Sequence, residues 1–335
     1  MNSNNQPFVQ EPYYAIALDP IHVGAGGYRL GRVDNTLVRE AGTNLPKIPG
    51  SGISGVTRAY TALALQSNDP NNKKYIDGKK SCAGKGAEDG EGHCGKNDCP
   101  VCVSFGFSKK EQSFQGLVQF CDAHIVLFPV FSMKGTVWIT CEEALLHAGV
   151  TLNGSNIPLE KEKIIVSPLL NNDLDILNDL GILNVGWLML QIEKKKIAPN
   201  IYNELRARKI SDDILDRIAI VHNDIFSRIV NDNLEVRTSV AIDPTTGAAE
   251  DGALYTYEAI PRATVFCFDI VYNKPEFYRI GDKEIVHKQE GNGNGYKWLK
   301  ENVEKGLFLM EYLGIGGMNT RGFGRLRILN LEKGK

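Results

Sequence analysis

The chain has 335 residues, 42% hydrophobic and 23% charged, with a formal net charge of −2. That is enough apolar material for a sizeable core, which excludes a largely disordered chain, and the near-neutral charge supplies no bulk field for a polyanion. Any basic groove must be built locally from Lys, Arg and backbone N–H groups. No run reaches the roughly 20 apolar residues needed to span a bilayer, so no membrane partner is expected. The opening MNSNNQPFVQEPYY lacks the basic and apolar regions of a signal peptide, pointing to the cytosol. With no Pro/Ser-rich linker, a single domain over 1–335 carrying excursions is expected.

Tyr13 to Leu18 predicts a strand, extended by Ile21 and Val23, that runs into Gly24-Ala25-Gly26-Gly27. Tyr28 to Asn44, with Arg29, Arg32, Asp34, Arg39 and Glu40, predicts a polar surface loop or irregular strand. Ile53, Val56, Tyr60 and Leu63 then recur at helical spacing, with Ser51 as N-cap. Gly50 and Ser51 would leave N–H groups open at a positive helix end, a geometry that suits phosphate, although simple capping explains the same residues.

Residues 67–104 form a polar, glycine-rich, cysteine-bearing insertion. Val118 to Phe131 and Gly135 to Thr140 return to strand character, and 142–230 is mainly helical in composition, a second insertion anchored by Ile214, Ile218 and Ile220 to Val221. Residues 236–262 predict a projecting β-hairpin with a polar tip, Asp243 to Gly247. The strand Ala263 to Val271, the helix Trp298 to Leu313, a glycine loop and the strand Leu326 to Leu329 follow. The order matches an α+β fold, a ferredoxin-like (RRM-like) βαββαβ core with large insertions.

Cys82, Cys94, Cys99 and Cys102 have eleven, four and two residues between successive members. The Cys99-Pro100-Val101-Cys102 knuckle lets two thiolates reach one ion, so the set predicts a closed structural zinc site, with His93 as an alternative ligand. A core-poor insertion needs such a clip. Cys121, Cys141 and Cys267 stand in apolar runs and are expected as buried small hydrophobes. Gly314 to Gly324 holds five glycines and Arg321, with Arg325 beyond. Running from helix into strand, it is no dinucleotide fingerprint; it suits a phosphate cradle and a tight packing turn equally. Asp34 can hold a divalent ion or orient a nucleophile, and an Asx turn explains it more cheaply.

Five landmarks together resemble the RAMP superfamily of CRISPR effectors. They are His22 to Gly26, Gly31 to Glu40, Ile48 to Arg58, Cys99 to Cys102 before Phe105-Gly106, and Gly316 to Leu326. Within it, Val33-Asp34-Asn35 and Ala241-Ile242-Asp243 resemble the catalytic backbone subunit of the type III-B (Cmr) assembly. The resemblance implies a ferredoxin-like palm, a zinc-bearing finger and a thumb over 236–262. It implies a filament of copies stacked along a CRISPR RNA, each thumb interrupting the guide–target duplex, beside other Cmr subunits including the large polymerase-like one. Asp34 corresponds to the residue that cuts target RNA with a divalent metal such as magnesium or manganese, by attack of the neighbouring 2′-hydroxyl. His22, Tyr257 and Glu258 match assisting positions. RNA contacts are implied for Lys47, Gly50, Ser51, Arg58, Arg237, Gly316, Gly317, Arg321, Gly322 and Arg325. Relatives often place a basic residue where this chain reads Gly52-Ile53-Ser54-Gly55, so guide contacts here shift to Lys47, Arg58 and backbone N–H groups. Two further readings stand beside this one: a non-catalytic guide-RNA-binding subunit of the same fold, and a zinc-stabilised protein–protein module.

Overall fold

Alternation followed by a continuous apolar run, FVQEPYYAIA, makes the first strand, Phe8–Ala17. It lies inside a ten-stranded sheet in the computed structural model, which describes residues 6–26, 33–67, 75–77, 80–84, 92–152, 160–172, 181–250, 254–287 and 295–331. From one edge the order is Ile182–Val185, Leu188–Ile192, Lys163–Val166, Ile218–Val221, Gly135–Thr140, His124–Ser132, Val265–Asn273, Phe8–Ala17 and Leu326–Ile328. The short strand Val118–Phe120 shares an edge of Val265–Asn273 with His124–Ser132. Tyr13 pairs with Phe268 and Ala15 with both Phe266 and Ile328.

Along the chain, the strand Phe8–Ala17, the helix Gly50–Ser67, the strands His124–Ser132 and Val265–Asn273, the helix Gly295–Leu313 and the strand Leu326–Ile328 follow one another. Within the sheet these four strands stand last, first, third, second, every neighbouring pair antiparallel. Both faces are covered. Tyr13, Phe268 and Tyr272 pack with Leu299, Val303, Leu307 and Met310 of the last helix, while Tyr14, Ile165 and Ile220 pack with Ile201, Leu205 and Leu215. The two long helices cross at Gly306, where a Cβ would come within 2.5 Å of the Thr57 carbonyl oxygen, so only glycine permits the approach.

Four expectations change. Residues 142–230 do carry helices, including Pro199–Ala207 and Asn223–Asp232, but also four strands that widen the sheet. Ile218 to Val221 is not a helical anchor: all four residues are buried in a strand, as a β-branched run enclosed on both faces should be. The first helix begins at Gly50, so Ser51 sits exposed in its first turn, and the Pro49 carbonyl accepts from the Gly52 and Ile53 amides. Cys121 is exposed because it lies in the turn between two strands on one sheet edge, while Cys141 and Cys267 are buried. The expected hairpin pairs Glu235–Ser239 with Tyr255–Ala259, and Asp243 closes its tip by accepting from the Thr245 amide at 2.8 Å. Among the described residues, no helix is long and apolar enough to cross a membrane.

Candidate functional site

The loop after the first strand does not stand free. Asn35 donates to the Thr256 carbonyl (3.0 Å) and accepts from the Glu258 amide (3.1 Å), so the loop adds a short parallel rung to the hairpin arm Tyr255–Ala259. Asp34 is exposed and is anchored to the same arm. Its Oδ2 accepts from the Thr256 amide (2.7 Å) and hydroxyl (2.9 Å), and its own amide donates to that hydroxyl (3.1 Å). The backbone bond from Thr256, reinforced by the hydroxyl, holds the Asp34 carboxyl below the usual carboxylate range. This reciprocal pairing across 222 residues replaces the expected local Asx turn, and it leaves Oδ1 without a bond to another described residue.

Glu258 is committed to a bracket. Its carboxylate accepts from Arg39 (2.8 Å) and the Leu37 amide (3.3 Å), and Arg39 also donates to Asn231 (3.1 Å). His22, buried, places Nδ1 2.5 Å from the Glu258 carbonyl oxygen. A carbonyl only accepts, so Nδ1 carries a proton; in the neutral ring Nε2, which faces Gly24, where a Cβ would lie 3.1 Å away, is then the acceptor. The glycine loop closes over this ring. Gly317 donates to the His22 carbonyl (2.9 Å), and Gly316 (φ +83°) passes so close to the same carbonyl that a Cβ would overlap it. Tyr257 is buried between His22 and Phe323, with ring centroids 5.9 and 5.4 Å away, and the Arg237 guanidinium lies 4.5 Å from the Phe323 ring centre. Arg321 donates to the Tyr255 hydroxyl at 2.5 Å. One arm thus gathers His22, Asp34, Tyr257, Glu258, Arg237, Gly316, Gly317 and Arg321; Gly322 lies exposed in the same loop. Arg29, Gly31 and Arg32 of the early motif lie outside the described residues.

The start of the first helix is a separate place, and its open N–H groups are not all open. Asp122 accepts from the Gly50 amide (2.7 Å) and from Lys47 Nζ (2.5 Å). Burial raises the Asp122 pKa, but those two partners outweigh it and hold the carboxyl below its usual range. Gly50 and Lys47 are therefore already satisfied by a carboxylate. Arg325 is engaged by Asp19 at 2.5 and 2.9 Å, and Arg237 by Glu235 at 2.5 Å. Arg58 turns inward, donating to the Cys82 carbonyl at 2.7 Å. Thr256, which fixes Asp34, was missed: in the strand it merely alternates with Tyr255 and Tyr257, and nothing local marks its distant partner.

The four insertion cysteines do converge. Sγ separations of 3.6 Å (Cys82–Cys102), 3.7 Å (Cys94–Cys102) and 4.0 Å (Cys82–Cys99) bracket the ~3.8 Å edge that four thiolates make around zinc at ~2.3 Å. The four sulfurs lie within 4.8 Å of one another and can hold such an ion. The Cys102 amide donates to Cys99 Sγ (3.5 Å), the knuckle geometry its spacing predicts. Hydrogen bonding with Cys102 pulls Cys94 and Cys82 below the ordinary thiol range, and bonding with its thiol neighbours drives Cys99 above it. His93 stands outside the set, its Nε2 2.6 Å from the Gly84 carbonyl oxygen and its Nδ1 accepting from Ser108 (3.4 Å). Residues 68–74, 78–79 and 85–91 of the insertion lie outside the described residues.

Comparison with known proteins places these features in context. The model of the RAMP superfamily matches residues 15–327. The CRISPR system Cmr endoribonuclease Cmr4 of Pyrococcus furiosus is 26% identical over 322 residues, covering 93% of this chain and 92% of that protein. The crystal structure of oligomeric Cmr4 from Pyrococcus furiosus superposes with a TM-score of 0.59 at 20% identity, over 97% of this chain and 99% of that one. A chain of the type III-B Cmr-beta complex bound to cognate target RNA gives 0.57 at 16% identity, over 96% and 97%.

Proposed function

We propose that this chain, which belongs to the RAMP superfamily, is a guide-RNA-binding backbone subunit of a cytosolic type III-B (Cmr) effector that cuts complementary target RNA through Asp34. The observation that carries the reading is the exposed, anionic Asp34 carboxylate fixed on the hairpin arm by Thr256. A target nucleotide displaced by that hairpin frees its 2′-hydroxyl for in-line attack on the adjacent phosphate, which closes a 2′,3′-cyclic phosphate as the bond to the next nucleotide's 5′-oxygen breaks; the hydroxyl gives its proton to water and the leaving oxygen takes one from water. Asp34 Oδ1 orients that hydroxyl, and the Nε2 lone pair of His22 lies along the same arm under the glycine loop. Tyr257 and Glu258 act by holding these two groups, since one is packed and the other ion-paired. RNA contacts fall to exposed Arg321, Gly322 and Ser51, and to Arg237 and Arg325 where phosphate displaces their carboxylates.

The strand order last, first, third, second supports a ferredoxin-like palm. Residues 236–262 are its thumb, and 67–104 and 142–230 its fingers. Zinc clips the first finger through Cys82, Cys94, Cys99 and Cys102. For the cutting step, Asp34 Oδ1 is the oxygen, among the described residues, that would hold a magnesium or manganese ion, which would offset charge developing on the phosphate. The partners are CRISPR RNA, target RNA, further copies of this chain and other Cmr subunits, including the large polymerase-like one.

In the assembled complex, Asp34→Ala should abolish target-RNA cleavage while guide binding, target binding and assembly persist. Retained cleavage would reject the assignment and leave a non-catalytic backbone subunit. Absence of any co-purifying RNA would favour the zinc-stabilised protein module.

A further inference from the structure

Arg58 occupies an odd position for a nucleic-acid contact. It lies on the first helix, yet its side chain runs inward to the finger, where Nε donates to the Cys82 carbonyl (2.7 Å) and Nη1 to the Phe105 carbonyl (3.4 Å). Those carbonyls belong to one cysteine of the cluster and to the last residue of the short helix Pro100–Phe105, whose start carries Cys99 and Cys102. The guanidinium thus links the first helix to both segments. Its third nitrogen, Nη2, is buried and has no hydrogen-bond partner among the described residues. Buried guanidinium N–H groups are rarely left without an acceptor, and an uncompensated buried cation is costly.

Resting on the zinc reading above, we propose that Arg58 is the counter-charge of the four-cysteine site, so that metal binding ties the first helix to the finger. Four thiolates around a dication leave a net charge of −2, and a core-like setting needs a cation to balance it. Two cations of this chain approach the cluster. Lys109 donates to the Cys94 carbonyl (2.9 Å) from a partly exposed position, and Arg58 does so from inside. The hydrogen bonds to the Cys82 and Phe105 carbonyls seat the guanidinium beside the cluster. A loaded site would supply the negative charge that balances it.

The test uses the purified full chain loaded with zinc. Metal content, zinc affinity by chelator competition, and the cobalt-substituted absorption spectrum are compared among wild type, Arg58→Met, Arg58→Lys and the surface control Arg206→Ala, on a helix that packs in the other core cluster. Arg58→Met should weaken zinc about 10–100-fold, as loss of an outer-shell partner does. Arg58→Lys, which keeps the charge but not the fork, should stay near wild type, and Arg206→Ala should match it. Unchanged affinity in Arg58→Met overturns the proposal. So does an Arg58→Lys loss as large as that of Arg58→Met, which would reduce Arg58 to a bridge between two carbonyls. If Arg58→Met fails to fold, Arg58→Lys alone decides: near-wild-type affinity supports the counter-charge and a large loss refutes it. A wild-type chain without zinc and without a thiolate–cobalt band would sink the zinc reading itself, an outcome distinct from a loaded site indifferent to Arg58.

Discussion

Substituting the glycines of the C-terminal loop one at a time separates packing from backbone freedom. At Gly317 a Cβ meets nothing nearer than His22 Cδ2 at 3.7 Å, and at Gly322 it meets nothing within 4 Å, although φ there is +78°. At Gly316, φ is +83° and a Cβ would overlap the His22 carbonyl, with that carbon at 3.1 Å. Gly317→Ala should therefore change stability by less than about 0.5 kcal/mol, as at an ordinary surface position. Gly322→Ala should cost about 1–2 kcal/mol for a left-handed alanine. Gly316→Ala carries the same strain, an overpacking cost of about 1–3 kcal/mol and the loss of the Gly317–His22 hydrogen bond, about 1 kcal/mol. Its expected total is about 3–6 kcal/mol. At ~2.1 cal/mol/K of unfolding entropy per residue, such a loss lowers Tm by about 4–9 °C. Urea and thermal melts of the three variants check the ranking. If Gly316→Ala proved as stable as Gly317→Ala, the loop would not be seated on the His22 carbonyl, and the placement of His22 beneath it would fall.

Other outcomes follow from the same geometry. Thr256→Val should slow cleavage roughly tenfold by loosening Asp34, while Thr256→Ser restores it; target binding should be unchanged in both. Because Thr256 holds the Asp34 carboxyl below its usual range, losing the hydroxyl raises that pKa, so the acid limb of the pH–rate profile should move to higher pH. Arg39→Ala leaves the part-buried Glu258 without its cation and should cost about 2–3 kcal/mol in urea melts. Glu258→Gln should cost less, and a double-mutant cycle isolates the pair. Removing zinc with a chelator should lower the melting temperature, and zinc added back, but not magnesium, should restore it.

What the sequence made legible had local signatures. Cysteine spacing announced a four-sulfur cluster because a knuckle is a short-range geometry, and the four sulfurs do converge. The α+β character and the projecting hairpin came from periodicity and a polar tip. The partners of cations and amides were not legible, since the deciding group lies far along the chain. Gly50 and Lys47 look like a phosphate site until Asp122, 72 and 75 residues away, is placed between them. Arg58 resembles a helix-surface cation until the finger folds over it. The strands at Lys163–Val166, Ile182–Val185 and Leu188–Ile192 were hidden because short apolar runs fit a buried helix segment and a strand equally well.

The pairing of the early loop with the hairpin arm explains how a flexible, polar segment can present a carboxylate with fixed aim. A loop carrying Asp34 alone would sample many positions, and each loosened ångström costs rate in a reaction that depends on in-line geometry. Here Asn35 is hydrogen-bonded into the arm on both sides, Asp34 is clamped to Thr256, and Arg39 locks the far end to Glu258. Three contacts thus tie residues 34–39 to the arm. If that arm is the element that displaces a target nucleotide, then the group proposed to orient the 2′-hydroxyl travels with the wedge that exposes it. Bending the hairpin would shift the cut site and the carboxylate together, so cutting would stay in register with displacement without a separately rigid catalytic loop.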